Sequence, residues 1–129
     1  MIALVATVDG GFAFELDSGE LSPAEPFEPE PGPRLNLPRI IASAQAGSTV
    51  VVLVDARPPM LVSYDAGRTW QESGRGLPAG RAVAAFADDP DVLLYATRNR
   101  LYLSRNGGVF WTALEAELPE IEAVALRES

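Results

Sequence analysis

Ser63-Tyr-Asp-Ala-Gly-Arg-Thr-Trp70 has a second copy further along the chain, Ser104-Arg-Asn-Gly-Gly-Val-Phe-Trp111. Serine, Asp or Asn, glycine and tryptophan recur at four equivalent positions, and serine and tryptophan are both displaced by 41 residues. An offset of that size repeats a whole supersecondary unit, not a turn alone. Within each copy Asp65 or Asn106 offers the short acceptor that bonds turn amides, and Gly67 or Gly108 supplies the φ > 0 residue of a tight hairpin. Thr69 completes the first copy, and Trp70 and Trp111 are placed to anchor the hairpins to a sheet. Glycine and tryptophan neighbours make Asp65 a turn-locking residue in preference to a catalytic acid.

The repeat extends beyond the octapeptides. Arg39-Ile-Ile-Ala-Ser-Ala aligns with Arg81-Ala-Val-Ala-Ala-Phe, Val50-Val-Val-Leu-Val with Val92-Leu-Leu-Tyr-Ala, and Leu61-Val62 with Tyr102-Leu103. Each unit therefore reads as four short strands separated by Gly, Pro, Asp or Asn, which is the pattern of a β-propeller blade. The octapeptides resemble the Asp-box, or BNR repeat, S-x-D-x-G-x-T-W of sialidases and related propellers. The first matches at every fixed position; the second has Asn106 for the aspartate and Phe110 for the threonine. The resemblance implies a hairpin between the third and fourth strands of a blade, with Ser63, Asp65, Gly67, Thr69, Trp70, Ser104, Asn106, Gly108 and Trp111 as structural residues.

A third unit is divided between the chain ends. Glu122-Ala-Val-Ala-Leu follows Arg81 by 41 residues and reads as an innermost strand, while Ile2–Thr7 and Phe12 onward read as the second and third strands. In an eroded third box, Asp17 and Gly19 align with Asp65 and Gly67, Glu15 stands for the serine and Ser22 for the tryptophan. Val83 to Leu101 is 18 residues, and Val124 to Phe12, counted through the termini, is 17. The expected organisation is a single half-propeller domain over 1–129, with blades at 38–79 and 80–120 and a split blade from 121–129 plus 1–30.

Closed propellers have about four to eight blades, so three cannot close a ring. The expectation is an all-β homodimer joined head to tail, each chain giving its C-terminal strand to the other's N-terminal strands, in a six-bladed ring. A nine-bladed trimer, a fragment of a longer propeller and a small open β-sandwich are the alternatives.

Composition narrows the chemistry. The 129 residues carry no His, no Cys and a net charge of −8, and all ten cationic side chains are arginines. Missing histidine removes the usual general base and commonest metal ligand, and missing lysine removes Schiff-base chemistry and a phosphate-loop lysine. No cofactor and no metal site is expected. The negative charge disfavours nucleic acid and anionic membrane. Met1–Val8 lacks the basic region and cleavage site of a secretory signal, and no apolar run reaches membrane-spanning length, so a cytoplasmic location is the default.

Leu21–Pro38, rich in proline and glutamate, reads as an extended acidic loop or outer edge without a partner. Thr112-Ala-Leu-Glu115 resembles a helix capping box, but within the repeat it reads as an outer strand or one helical turn. Arg39 and Arg81 open innermost strands, while Arg57, Arg98 and Arg100 lie in turns between second and third strands, so all five gather on one face around the channel mouth. Such a rim suits carboxylates or phosphates by bidentate pairing. The alternative is that Asp55, Asp88, Asp89, Asp91 or Glu122 neutralises each arginine.

Two functions fit. The first is a non-catalytic propeller that binds a protein or a small anionic ligand, with itself as partner in the dimer. The second is a sialidase-like glycoside hydrolase, for which Arg39, Arg81, Tyr95 and Glu122 are the matching residue types. None of these lies in a local sequence like the sialidase motifs.

Overall fold

Val- and Leu-rich runs punctuated by glycine and proline form twelve strands in a computed structural model that describes residues 1–29 and 31–128. Strands β4 (Ile40–Ala46), β5 (Thr49–Val54), β6 (Met60–Ser63) and β7 (Gln71–Ser73) make a first sheet. A second sheet contains β8 (Ala82–Phe86), β9 (Asp89–Ala96), β10 (Arg100–Ser104) and β11 (Thr112–Glu117). A terminal sheet has the order β12-β1-β2-β3, from β12 (Ile121–Arg127), β1 (Ile2–Thr7), β2 (Gly10–Glu15) and β3 (Leu21–Ala24). All pairings are antiparallel. The capping-box segment is strand β11.

The three leading strands pack side by side, β4 against β8 and β8 against β12, so the sheets stand face to face in an arc with the second sheet in the middle. Alternation then sends successive side chains to opposite neighbours. Leu93 and Tyr95 of β9 join Val51, Leu53, Met60 and Val62 of the first sheet in one core. Val92, Leu94 and Ala96 of the same strand join Ala3, Val5, Phe14, Val124 and Leu126 of the terminal sheet in another. Both faces of β9 are apolar because both are buried, and each fully buried Leu or Val contributes roughly 1.5–3 kcal/mol.

The ends of the chain do build one sheet, but the expected exchange of strands between chains is corrected. β12 pairs with β1 of its own chain, from Ile2↔Arg127 to Thr7↔Ile121. The physical reason is the connection 25–39 between β3 and β4, much longer than 74–81 and 118–120 between the other sheets. That length lets the terminal sheet sit beside the second sheet while the backbone returns to β4 at the far end of the arc. Nor is this connection without a partner. Leu35 and Leu37 lie against Val50, Val52 and Val54, and Ser43 Oγ donates to the Pro33 carbonyl at 3.1 Å. Gly32 presses so closely on β4 that an added Cβ would stand 2.1 Å from the Ser43 carbonyl oxygen.

The ladders also move the third hairpin by one residue. Val124↔Val5↔Phe12 repeats Val83↔Tyr95↔Tyr102, so Phe14 and Leu21 take the places of Ser104 and Trp111, in place of the expected Glu15 and Ser22. The one-residue shortfall in spacing through the termini is this offset. Asp17 and Gly19 are therefore not the counterparts of Asp65 and Gly67. Glu30 and Ser129, at the margins of the expected split blade, lie outside the described residues.

Candidate functional site

Each octapeptide locks its turn through its own side chains. Ser63 Oγ accepts from the Gly67 amide at 2.8 Å and donates to Asp65 Oδ1 at 2.7 Å. Asp65 Oδ1 accepts from the Arg68 and Thr69 amides at 3.1 and 2.9 Å, and Thr69 Oγ1 donates to Oδ2 at 2.6 Å. These bonds, led by the Thr69 hydroxyl, lower the Asp65 pKa to about 2. Ser104 accepts from the Gly108 amide at 2.8 Å and Asn106 from the Phe110 amide at 3.0 Å, a shorter version of the same network. Gly67 and Gly108 have φ of 92° and 88°, which their turns require.

Contacts between sheets were not legible in the octapeptides. Trp111 Nε1 donates to Ser73 Oγ at 3.0 Å, Ser73 Oγ donates to the Gly108 carbonyl at 2.6 Å, and the Tyr64 hydroxyl donates to the Gly107 carbonyl. The second box is thus fastened to the first sheet as well as to its own. Burial, with the Asp91 charge second, raises the Tyr64 pKa.

The five arginines sit at the end of the arc where β4, β8 and β12 begin. Glu120 Oε1 lies 2.9 Å from Arg98 Nε and 3.4 Å from an Arg81 guanidinium nitrogen, so one carboxylate serves two arginines across the second and terminal sheets. Arg100 pairs with Glu117 at 3.2 Å. The partners are Glu120 and Glu117, not the aspartates or Glu122 expected from sequence, because the loop after β11 comes back over the β9–β10 turn; there the Ile121 amide donates to the Arg98 carbonyl. Among the described residues no carboxylate lies within 4 Å of Arg39 or Arg57. The rim is half neutralised, with two guanidinium groups open.

The largest cavity, about 690 Å³, runs along the axis between Ala44, Val83–Phe86 and Val124–Leu126 and is closed on its open side by Pro31–Pro33. It reaches the opposite end, near Asp88 and Glu128, and none of the five rim arginines lines it. A hydrogen bond with Asp88, and the charge of that group, raise the Glu128 pKa. Rim and cavity are separate features, which the sequence reading had merged into one channel mouth.

Tyr95, a candidate nucleophile of the enzyme reading, is fully buried, with its hydroxyl donating to the Pro78 carbonyl. It cannot face a substrate on the rim. Glu122 is exposed.

The two ends of the arc carry apolar faces. Ala125↔Leu4↔Ala13 in the terminal sheet repeats Ala84↔Leu94↔Leu103 in the second. Ala84, Leu94 and Leu103 are buried against the terminal sheet at 6%, 0% and 7% exposure; their counterparts, with Ile2, Ala6 and Ala123, are only half-buried. At the other end Ile41 is 49% exposed beside Val50, Val52 and Val54.

Two solved structures show how this arrangement is used elsewhere. YCF48 bound to D1 peptide aligns over 83% of this chain and 37% of its own length, at TM-score 0.51 and 20% identity. The fold is propeller-like. The GH74 enzyme of Niastella koreensis aligns over 91% of this chain and 18% of its own, at TM-score 0.50 and 21% identity. This chain thus spans well under half of either structure. No family model and no curated protein matches it. Among the described residues no helix is long and apolar enough to cross a membrane.

Proposed function

We propose that this chain is a non-catalytic binding scaffold, one half of a six-bladed ring that a second copy completes. The observation that carries the reading is the pair of arc ends. Positions that are buried wherever one sheet meets the next are uncovered at both ends, and the two ends belong to opposite faces of the repeat. Docking the terminal sheet of one copy on the first sheet of another, twice, closes a two-fold ring without edges. Each copy keeps its own β1–β12 ladder.

Two copies bring ten arginines to one rim, four of them (Arg39 and Arg57 in each) free of an ion-pair partner among the described residues. Guanidinium forks recognise carboxylates and phosphates, so the favoured ligand is an anionic group on a protein or small molecule. A propeller neighbour bound to a peptide supports a protein ligand. Thermal unfolding with phosphate and with sialic acid tests the rim, since a bound anion raises the midpoint by mass action. The expected result is a concentration-dependent rise that Arg39→Ala with Arg57→Ala removes. No shift with either anion sinks the rim as a site, and hydrolysis of a fluorogenic sialoside sinks the non-catalytic reading.

A further inference from the structure

The junction between the first and second sheets is filled by an aromatic wedge. Trp111, Tyr95 and Tyr102 form a group with ring centroids 6.0 Å from Tyr95 in both pairs, and Trp111 is bonded to Ser73. Ladder equivalence puts Leu21, Val5 and Phe12 at those three positions in the junction between the second and terminal sheets, and Leu114 in the place of Ser73. Three large aromatic groups become one aromatic and two aliphatic ones. The lost volume is visible as a groove of about 590 Å³ between the β2–β3 hairpin and β11, floored by Phe14, Leu16, Leu21, Leu114 and Ala116. Leu21, standing for the tryptophan, is 39% exposed.

We infer that this groove is a docking site for an extended peptide that supplies the missing wedge as a phenylalanine or leucine flanked by basic residues. The anchor's character follows from the exchange of Ser73 for Leu114: the wall that accepts an indole N–H at one junction is hydrocarbon at the other, so a side chain without a polar handle fits. The flanks follow from charge. Asp17, Glu115 and Glu117 line the groove with no cationic residue among its lining. Arg100 and Arg105 approach Glu117 and Asp17 from outside at 3.2 and 3.9 Å, on exposed side chains that compete weakly with a bound cation. The site lies away from the arginine rim and from both arc ends, so it depends neither on ring closure nor on the anion reading.

The test uses a fluorescein-labelled peptide, Ser-Arg-Ser-Phe-Ser-Arg-Ser, titrated by fluorescence polarisation against the full chain. Saturable binding at or below roughly 1 mM is expected, weakened about tenfold or more when the phenylalanine becomes serine. Leu21→Trp refills the wedge with the residue the sister junction uses, so it is expected to remove binding while keeping or raising the thermal midpoint. Because an over-packed Leu21→Trp chain could fail to fold, Glu115→Arg provides a second reading: weaker binding of the basic peptide and unchanged stability. Absence of saturation by about 1 mM, equal binding of the serine peptide, or full binding by a folded Leu21→Trp variant overturns the inference.

Discussion

Replacing Tyr95 by phenylalanine isolates one hydroxyl in the middle of the arc. The ring is fully buried and keeps its packing against Tyr102 and Trp111, so the substitution deletes only the bond to the Pro78 carbonyl. Pro78 is exposed, and water can take over its carbonyl, which places the loss at the lower end for a hydrogen bond, about 1 kcal/mol. For a domain of this size that is a fall of roughly 4 °C in the midpoint. The same hydroxyl carries a pH signature. Burial, with the Tyr102 interaction second, raises the Tyr95 pKa from 10.0 to about 12. The folded state thus favours the neutral phenol, so this contribution is complete below pH 10 and declines as pH rises from 10 towards 12. The gap between parent and Tyr95→Phe should narrow across that window. Because the chain has no lysine, only three tyrosines and the terminal amine titrate nearby, and the Tyr64 contribution cancels between the two proteins. Urea unfolding followed by tryptophan fluorescence at about pH 8 and about pH 11 measures both effects. A variant as stable as the parent at about pH 8, or a gap that does not shrink, refutes the assignment.

Asp65→Asn should flatten the acid limb of stability: the depressed pKa contributes fully above the ordinary 3.8 and is lost as pH falls towards about 2, so acid unfolding curves of parent and variant should converge over that interval. Trp111→Phe removes the bond to Ser73 Oγ and part of the wedge, and is expected to cost roughly 1–3 kcal/mol in urea unfolding. Gly32→Val places a side chain where 2.1 Å is available and should lift the connection 25–39 off β4, seen as faster proteolytic cutting there with the sheets intact.

Much of the fold was legible because side-chain alternation and turn chemistry are local. The repeat of 41 residues, the four strands per unit and the meeting of the termini all follow from where Val runs stop and Gly, Asp or Asn begin. Which chain β12 pairs with was not legible, since that depends on whether residues 25–39 can span the arc, a question of length and of Leu35 and Leu37 finding Val50 and Val52. The third hairpin was misplaced by one residue because Asp17 and Gly19 imitate a box at the wrong register, although the spacing shortfall already carried the signal. At the site, the clustering of arginines on one face came from the repeat, whereas Glu120 as shared partner came from a fold-back of the loop before β12. A further signal went unread: Leu37-Pro38, Leu77-Pro78 and Leu118-Pro119 precede the three innermost strands, and each leucine plugs a core.

Native mass measurement tests the central claim most directly. If the two arc ends are halves of one interface, the protein travels as a species of two chains, twice 13.8 kDa, and Leu4→Asp or Ile41→Asp returns it to one. A mass of one chain that persists as concentration is raised, with both substitutions silent, contradicts the ring.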